Sequence, residues 1–314
     1  KLREIMEITD TVSVMRRGEM TATVRTADTS PAEIAEMMVG RKVLLRVEKA
    51  PATPGDVVLN VQDLRVVDDA GVERLKGVSF QIRAGEILGI AGVAGNGQTE
   101  LLQVLGGMIP ARSGTVTLKN QEIDLTGKSS DGQSRRARSI AHVPENRQTE
   151  GLIMPFDAWE NVAFGYHNDP RYQAGPLFMD NAAVRDDTVE KMARYDVRPP
   201  NPRLPARNFS GGNQQKIVVA REMDRAPDLL LVGQPTRGVD IGAIEFIHKQ
   251  IIALRDQGKA ILLVSVELDE ILGLSDRIAV MFDGRIMGER LPDETDENEL
   301  GLLMAGVTET KGAA

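Results

Sequence analysis

The second half of the chain alternates short apolar runs with helical patterns. Residues 229–232 and 260–264 are unbroken apolar runs, which are typical of strands buried on both faces. Between them, the apolar residues of 244–254 recur at the spacing of an amphipathic helix. Residues 278–282 end at an Asp-Gly pair, which predicts a hairpin. Strands that alternate with helices in this way predict a doubly wound α/β core.

The first half of the chain predicts two smaller subdomains. Strand patterns separated by turn residues predict an antiparallel β subdomain, and they lie at residues 57–61, 64–66, 78–82 and 113–118. Residues 155–205 contain several prolines around a predicted helix at 181–195, which indicates an inserted helical subdomain. The whole pattern predicts an α/β core that carries both subdomains.

The two ends of the chain resemble each other at a fixed spacing of 266 residues, without a gap. The matching pairs are Leu2 and Leu268, Glu4 and Glu270, Ile5 and Ile271, Asp10 and Asp276, Val14 and Val280, Met15 and Met281, Gly18 and Gly284, Glu33 and Glu299, Met38 and Met304, and Gly40 and Gly306. Self-similarity at a fixed spacing indicates duplicated units.

This repeat predicts the domain organisation. We interpret residues 1–46 as the C-terminal tail of one unit whose body lies upstream, and residues 47–56, with two prolines, as a semi-rigid linker. Residues 57–309 then form a complete second unit, and 310–314 form a disordered tail. Without the rest of their own unit, residues 1–44 are expected to pack irregularly or through a non-native contact.

Composition excludes several classes of function. The chain has 314 residues, a formal net charge of −8 and no cysteine. The lack of cysteine excludes disulfides, thiolate metal sites and a cysteine nucleophile, and the acidic balance argues against a nucleic-acid-binding surface. No apolar run reaches the roughly 18 residues that a spanning helix needs, so no membrane-crossing segment is predicted.

A glycine-rich turn follows the apolar run 87–91 and precedes a predicted helix. In such a turn the backbone N–H groups converge beside the positive end of a helix dipole, which is how many proteins bind phosphate chains. Gly92, Gly97 and Thr99 match the spacing G-x-x-x-x-G-K-[ST], but Gln98 occupies the lysine position. By itself, this match leaves open an ordinary glycine turn.

Three further stretches follow where a phosphate-loop ATPase has its other motifs. The first is Asn-Phe-Ser-Gly-Gly-Asn-Gln-Gln at 208–215, the second is Gly-Gln-Pro-Thr-Arg-Gly-Val-Asp at 233–240, and the third is Ser-Val-Glu at 265–267. In this order they resemble the ATP-binding cassette (ABC) family of transport ATPases over essentially the whole chain. They are similar to the ATPase subunits of bacterial sugar importers and, more closely, of nucleoside importers. The resemblance implies a P-loop NTPase (RecA-like) core with an antiparallel β subdomain and a helical subdomain.

The resemblance also implies that the chain's own phosphate site is degenerate. The implied nucleotide-binding residues are Gly92, Gly95, Asn96, Gly97, Gln98, Thr99 and Glu100. In place of the family's lysine, magnesium-orienting aspartate, catalytic glutamate, switch histidine and magnesium-sensing glutamine, this chain has, respectively, Gln98, Gly233, Gln234, Val266 and Glu145. Thr99 keeps a hydroxyl that can ligate Mg²⁺. We therefore expect ATP and Mg²⁺ to bind weakly here and hydrolysis to be slow or absent, because charge neutralisation carries much of phosphoryl-transfer catalysis.

The signature, residues 210–213, is by contrast intact, with Ser210, Gly211, Gly212 and Asn213 at the start of a predicted helix. In the family two cassettes face head to tail. The resemblance therefore implies that this signature completes a nucleotide site in the first cassette of the same polypeptide, and that Asp240 lies in the loop that crosses between the two sites. The other implied partners are transmembrane permease subunits, which would hold this chain at the cytoplasmic face of the inner membrane, and, indirectly, a periplasmic or lipoprotein substrate-binding protein.

Several alternatives remain open at this stage. Glu145 is either a ligand or a solvated loop carboxylate, and Gln234 is either a natural loss or an engineered block. Phe156 and Trp159 either pack inside the helical subdomain or form a surface for the permease. For the chain as a whole, the alternatives are a non-hydrolytic nucleotide-binding regulatory module and a soluble cassette that acts in translation or repair.

Overall fold

The computed structural model describes residues 2–16, 18–42, 47–127, 131–175 and 177–307. Its helices are α1 (Leu2–Ile8), α2 (Pro31–Val39), α3 (Gln98–Leu105), α4 (Gly132–Ala137), α5 (Ala158–Ala163), α6 (Asn181–Arg194), α7 (Gly211–Met223), α8 (Ile241–Asp256), α9 (Leu268–Leu274) and α10 (Glu297–Met304). Its strands are β1 (Thr11–Arg16), β2 (Glu19–Arg25), β3 (Val57–Val67), β4 (Glu73–Arg83), β5 (Ile87–Ala91), β6 (Ser113–Leu118), β7 (Gln121–Glu122), β8 (Ile140–Val143), β9 (Leu229–Gly233), β10 (Ala260–Ser265), β11 (Arg277–Phe282) and β12 (Arg285–Arg290). The predicted tail 310–314 lies outside the described residues.

A six-stranded sheet forms the core, in the order β12-β11-β5-β10-β9-β8. All neighbouring strands in it are parallel except for the β11–β12 hairpin. Every residue of β5, β9 and β10 is buried, as their unbroken apolar runs predict. Alternate residues of these strands enter two hydrophobic clusters, one shared with α7 to α10 and the other with α3 and the antiparallel sheet. The predicted α/β core is thereby confirmed.

The antiparallel subdomain is a four-stranded sheet in the order β4-β3-β6-β7. The predicted strands at 57–61 and 64–66 are in fact one strand, β3, whose pairing with β4 shifts between Val61 and Leu64. Asp63 has a φ of +45° there, so the strand is irregular at the point where the sequence pattern predicted a break. The sheet packs its apolar face against α3 and the core strands.

The helical subdomain contains α5 and α6, and the predicted helix at 181–195 is confirmed as α6. A small cluster of Ala163, Tyr172 and Val184 holds it together, with Trp159 packed against that cluster. The guanidinium of Arg185 lies 5.5 Å from the centre of the Trp159 ring. Trp159 therefore packs inside the subdomain, whereas Phe156 is exposed and stays a candidate for a docking surface.

Residues 2–16 and 18–42 contain α1, β1, β2 and α2, with their own small core around Val12, Val14 and Ile34. The described elements are regular, and Arg41 pairs with Glu245 of α8 at 2.8 Å, so the expectation of irregular packing or of a non-native contact stays a prediction. A shift of 266 residues converts the bounds of α1 and β1 into those of α9 and β11, and those of β2 and α2 into β12 and α10 within one residue. Even the irregularity in strand pairing recurs, between Val14 and Met15 in one hairpin and between Val280 and Met281 in the other.

The linker 47–56 is irregular but fixed to the second unit. The Lys49 ammonium donates to the carbonyls of Leu274 and Ser275 and pairs with Asp276 at 2.7 Å. Arg255 donates to the Ala50 carbonyl. Four polar contacts over two residues hold the linker against the end of α8 and the turn between α9 and β11, so it does not act as a free tether. Among the helices of the described residues, none has the length and hydropathy needed to cross a bilayer.

Candidate functional site

The phosphate loop, residues 92–99, joins β5 to α3 through two glycines in left-handed conformations. Gly95 has a φ of +90° and Gly97 a φ of +104°. A Cβ placed on Gly97 would lie 2.7 Å from the Arg74 carbonyl oxygen, so only glycine fits at this point. Gly97 is also the N-cap of α3. The backbone N–H groups of the first helical turn, which includes Glu100, therefore point toward the loop.

Asn96 braces the loop against the β11–β12 turn. Its side-chain oxygen accepts from the Asp283 backbone N–H at 2.9 Å, and its carbonyl accepts from the Gly284 N–H at 3.0 Å. Its side-chain amide donates to the Val93 carbonyl at 3.1 Å. The shape of the loop is therefore held by the protein itself.

Gln98 is folded into this loop. Its side chain is only 4% exposed, its Nε2 donates to the Val93 carbonyl at 3.2 Å, and a Cβ on Gly92 would lie 2.0 Å from that nitrogen. Its Oε1 is buried without a hydrogen-bond partner. A neutral amide thus fills the centre of the loop and brings a buried, unpaired acceptor instead of a positive charge.

Thr99 and Glu145 meet at the start of α3. The Thr99 hydroxyl donates to Oε2 of Glu145 at 2.6 Å, and Glu145 is half-buried. A Cβ placed on Gly233 would lie 2.5 Å from Cγ of Glu145. Glu145 therefore fills the space beside Gly233, an arrangement that the sequence did not indicate.

Gln234 and Val266 lie next to each other beyond the ends of β9 and β10. The Val266 backbone N–H donates to Oε1 of Gln234 at 3.4 Å, and the Gln234 N–H donates to the Val264 carbonyl at 2.8 Å. A carboxamide and an isopropyl group cannot accept a proton from water near neutral pH. The structure thus brings these two sequence-predicted positions together without a general base.

None of the three histidines of the chain replaces the missing general base. Burial lowers the pKa of His142 to about 4, which keeps it neutral at physiological pH. Nε2 of His248 lies 2.9 Å from a carboxylate oxygen of Glu270, and His167 lies in the helical subdomain. None of these side chains lies beside Gln234.

The signature begins α7 with Ser210 as its N-cap. The exposed Ser210 hydroxyl accepts from the Asn213 side chain at 2.8 Å, and Oδ1 of Asn213 accepts from the Arg198 backbone N–H at 2.7 Å. A Cβ on Gly211 would lie 2.8 Å from the Gly238 carbonyl oxygen, and one on Gly212 would lie 2.7 Å from Oδ2 of Asp240. The glycine pair is thus required by close approach of the loop 237–240, in which Asp240 also caps α8 through the Ala243 N–H.

Arg147 is a residue of this region that the sequence reasoning missed. Its guanidinium donates to the carbonyls of Arg237 at 2.7 Å and Gly238 at 3.3 Å, and to the side chain of Gln214 on α7. Partial burial, and then the charge of Arg237, lower its pKa, but an arginine remains charged in proteins. The sequence could have indicated Arg147 only by its position, because it lies two residues after Glu145 in the segment that follows β8.

Comparisons with known proteins agree with this geometry. Residues 75–237, more than half of the chain, match the family model described as "ABC transporter". The nucleoside import ATP-binding protein NupA of Lactococcus lactis is 46% identical over 309 residues, which cover 98% of this chain and 60% of the relative. The guanosine import ATP-binding protein NupO of Bacillus subtilis is 46% identical over 303 residues, which cover 96% of this chain and 58% of the relative. The chain therefore spans about 60% of the length of these relatives.

Solved structures of ATP-binding cassettes share the fold. A nucleotide-free cassette superposes with a TM-score of 0.63 at 21% identity and covers 79% of this chain and 95% of its own. A bacterial cassette solved as a dimer gives a TM-score of 0.63 at 22% identity and covers 74% of this chain and 98% of its own. At such low identity the likeness supports the fold alone, while the family model and the 46% identical relatives establish the family. The chain belongs to the ABC transporter family.

Proposed function

We propose that this chain is the second cassette of the ATPase subunit of a bacterial importer for nucleosides or sugars, and that its signature completes a nucleotide site in a preceding cassette. The observation that carries the proposal is the contrast between an exposed, braced signature and a phosphate loop that lacks its cation. Relatives named for nucleoside, guanosine and ribose import favour that class of cargo.

The N-terminal unit supports a preceding cassette. Ile8 is 81% exposed and Met15 is 63% exposed, whereas their counterparts Leu274 and Met281 are 1% and 0% exposed. In the second unit, β11 pairs in parallel with β5, the strand before the phosphate loop. We infer that β1 pairs in the same way with the corresponding strand of a preceding cassette, which would cover these apolar side chains and gain about 1.5–3 kcal/mol for each one fully buried.

The repeat also explains an acidic residue. The Asp276 carboxylate accepts from the Ile87 backbone N–H at 2.9 Å, at the start of β5. Its counterpart in the first unit is Asp10, which is exposed. A preceding cassette would bring the equivalent backbone N–H to Asp10.

The chain's own site fits a phosphate chain in shape but not in charge. Residues 92–100 would hold the phosphates through backbone N–H groups, and Thr99 would contribute an oxygen ligand for Mg²⁺. ATP supplies the phosphoryl group in this family. Here Gln98 brings no positive charge, Gly233 no carboxylate and Gln234 no base, so we propose weak nucleotide binding and little hydrolysis. Each such group contributes about 10² to 10³ in rate in other enzymes.

The proposed partners follow from the same assignment. They are the preceding cassette, transmembrane permease subunits that would hold this chain at the cytoplasmic face of the inner membrane and, through them, a periplasmic or lipoprotein substrate-binding protein. The net charge of −8 does not favour nucleic acid as a partner, which argues against a role in translation or repair. The neutral Gln98 also suits a second candidate, a non-hydrolytic regulatory module, which would bind nucleotide without driving transport.

The experiment is ATP hydrolysis by the complete subunit assembled with its permease. Ser210→Arg introduces a bulky cation at the signature and is expected to lower hydrolysis at least about 100-fold, whereas Gln98→Ala is expected to lower it less than about threefold. Ser113→Arg, at an exposed serine on β6, is the matched control. Unchanged hydrolysis in Ser210→Arg would instead support the regulatory module.

A further inference from the structure

We propose that Glu270, on α9, is a positioning residue for the signature. It belongs to neither glycine turn, and it acts through Thr236, the residue immediately before the loop 237–240. That loop packs against the signature glycines, so the carboxylate of Glu270 determines where the signature lies. The inference rests on the proposed function in so far as the signature is taken to complete a nucleotide site in a preceding cassette.

The Glu270 side chain joins three parts of the chain in the protein interior. Glu270 is 4% exposed, and its Oε1 accepts from the Thr236 hydroxyl at 2.9 Å. Nε2 of His248, on α8, lies 2.9 Å from the same oxygen, and His248 is also buried. One carboxylate oxygen thus connects the segment after β9 to α8 and α9 together.

The second carboxylate oxygen of Glu270 has a cost in stability. Oε2 is buried and has no hydrogen-bond partner among the described residues, and burial of an unpaired polar group costs free energy. An apolar side chain of similar length would avoid that cost, since replacement of buried charged groups by apolar ones is often neutral or stabilising. We expect such a cost at positions that serve function.

Contacts from two sides fix the loop 237–240 after Thr236. On the inner side, the Thr236 carbonyl accepts from the Val239 N–H at 3.3 Å, and Val239 packs against the hydrophobic cluster shared with α7 to α10. On the outer side, the Arg147 guanidinium donates to two carbonyls of the loop. Glu270 fixes the point at which the chain enters the loop, and the other contacts fix its course from there.

The loop determines the position of the signature by direct contact. A Cβ on Gly211 would lie 2.8 Å from the Gly238 carbonyl oxygen, and one on Gly212 would lie 2.7 Å from Oδ2 of Asp240. There is no room for a methyl group between the loop and these glycines, so a displacement of the loop displaces the start of α7. In enzymes, a misplacement of about 1 Å can cost about 100-fold in rate. Loss of the contact at Glu270 is therefore expected to affect the signature.

The internal repeat has a glutamate at this position in both units. Glu4 of α1 is the counterpart of Glu270, and it is exposed in this chain. In the proposed subunit, the preceding cassette would bring its own corresponding loop to Glu4. The same arrangement is therefore expected in each of the two cassettes.

The first test is steady-state ATP hydrolysis by the complete subunit assembled with its permease. Glu270→Met and Thr236→Val remove the acceptor and the donor of one hydrogen bond, and each should lower kcat about tenfold. KM for ATP should change less than about twofold, because the loss affects the transition state more than the binding of ATP. Glu270→Gln keeps an oxygen that can accept from Thr236 and should retain more than about half of the rate. Asp269→Asn removes an exposed carboxylate from the same helix and should leave kcat unchanged.

Hydrogen exchange of this chain separates positioning from folding. In Glu270→Met and Thr236→Val, the amide hydrogens of residues 237–240 should exchange at least about tenfold faster than in the unchanged chain, while those of β9 and β10 keep their rates. A role in stability alone would instead accelerate exchange in the loop and in the core strands together.

Three results would overturn the proposal. They are a kcat for Glu270→Met equal to that of Asp269→Asn, unchanged exchange at residues 237–240 in Glu270→Met, and equal acceleration of exchange in the loop and in β9 and β10. The exchange experiment uses this chain alone and needs no preceding cassette. Its result therefore distinguishes a failure of this proposal from a failure of the proposed function, which the Ser210→Arg experiment on the complete subunit tests.

Discussion

α3 and α7 both begin at glycine-rich turns, yet their N-termini lie in opposite electrostatic surroundings. At α3 the Glu145 carboxylate binds Thr99. At α7 the Arg147 guanidinium lies beside Gly211, close enough that a Cβ on Gly211 would approach its Nη2 to 2.6 Å. A helix N-terminus attracts anions, but here the neighbouring charge opposes that attraction at α3 and adds to it at α7. The same backbone motif therefore has two different capacities for phosphate.

One segment supplies both of these charges. Glu145 and Arg147 are two residues apart, just after β8. A π-helical turn, Arg147–Gly151, begins at the second of them. One side chain reaches the phosphate loop and the other reaches the signature and the loop 237–240. A change in this segment is therefore expected to affect the two helix starts together.

The largest expected effect is a difference in ATP hydrolysis between substitutions in the two glycine turns, at Gly211 and at Gly92. Gly211→Val in the complete subunit should lower ATP hydrolysis about 100-fold or more, because its Cβ would press on Arg147 and on the Gly238 carbonyl oxygen, 2.8 Å away. Gly92→Ala is the matched variant, with its Cβ 2.8 Å from the Met281 carbonyl oxygen. Steady-state ATPase assays should show a much smaller loss for Gly92→Ala, and equal losses would remove the asymmetry.

The next effect concerns Arg147. Arg147→Ala should lower ATP hydrolysis by the complete subunit about tenfold, since each lost charge-assisted hydrogen bond is worth about 1.5–3 kcal/mol and water replaces part of it. Arg147→Lys should recover only part of the rate, because one ammonium cannot reproduce the planar fork that reaches Arg237 and Gly238. Arg207→Ala, at an exposed arginine before the signature, is the control. A rate for Arg147→Ala equal to that of the control would contradict this role.

A substitution in the phosphate loop, in contrast to one in the signature, should raise the free energy of unfolding. Gln98→Met replaces a buried amide whose Oε1 is unpaired with an apolar side chain of similar length. Although one hydrogen bond to Val93 is lost, relief of the unpaired acceptor should raise the free energy of unfolding by about 1 kcal/mol. Urea denaturation measures this, with Gln133→Met on the exposed face of α4 as the control. A loss of stability would indicate that Oε1 has a partner in solution.

The smallest effect should come from restoring the base alone. Gln234→Glu returns a carboxylate beside Val266, but Gln98 stays neutral and no histidine lies nearby. ATPase activity of this chain should therefore change by less than about twofold, because catalytic groups that act as a unit are strongly non-additive. A large gain of activity would mean that the site is otherwise competent.

Most of the fold was predictable from sequence because the core strands are buried on both faces. The runs at 229–232 and 260–264 are apolar at every position, and the structure buries all of β9 and β10. The repeat related residues 1–46 to the C-terminal tail of a unit, and the bounds of α1, β1, β2 and α2 match those of the C-terminal elements within one residue. Their local core was not predicted, since three buried side chains with five partly buried ones around them come from different elements, and no local pattern encodes that packing.

The sequence predicted which residues belong to the candidate site, but not how their side chains share the space within it. Motif spacing identified Gln98, Gly233 and Glu145 one at a time. That Glu145 fills the volume beside Gly233 and meets Thr99 depends on the register of β8 against β9, which no local pattern encodes. Arg147 was missed for the same reason, because its partners are backbone carbonyls 90 and 91 residues away.

The most direct measurement of the central claim is to locate the nucleotide that the complete subunit traps during turnover. Vanadate retains nucleotide only at a site that has hydrolysed ATP, so a photoreactive ATP trapped in this way and mapped by peptide sequencing marks the working site. The account predicts label in the preceding cassette and at residues 210–213 of this chain. Label at residues 92–99 as frequent as label in the preceding cassette would contradict it.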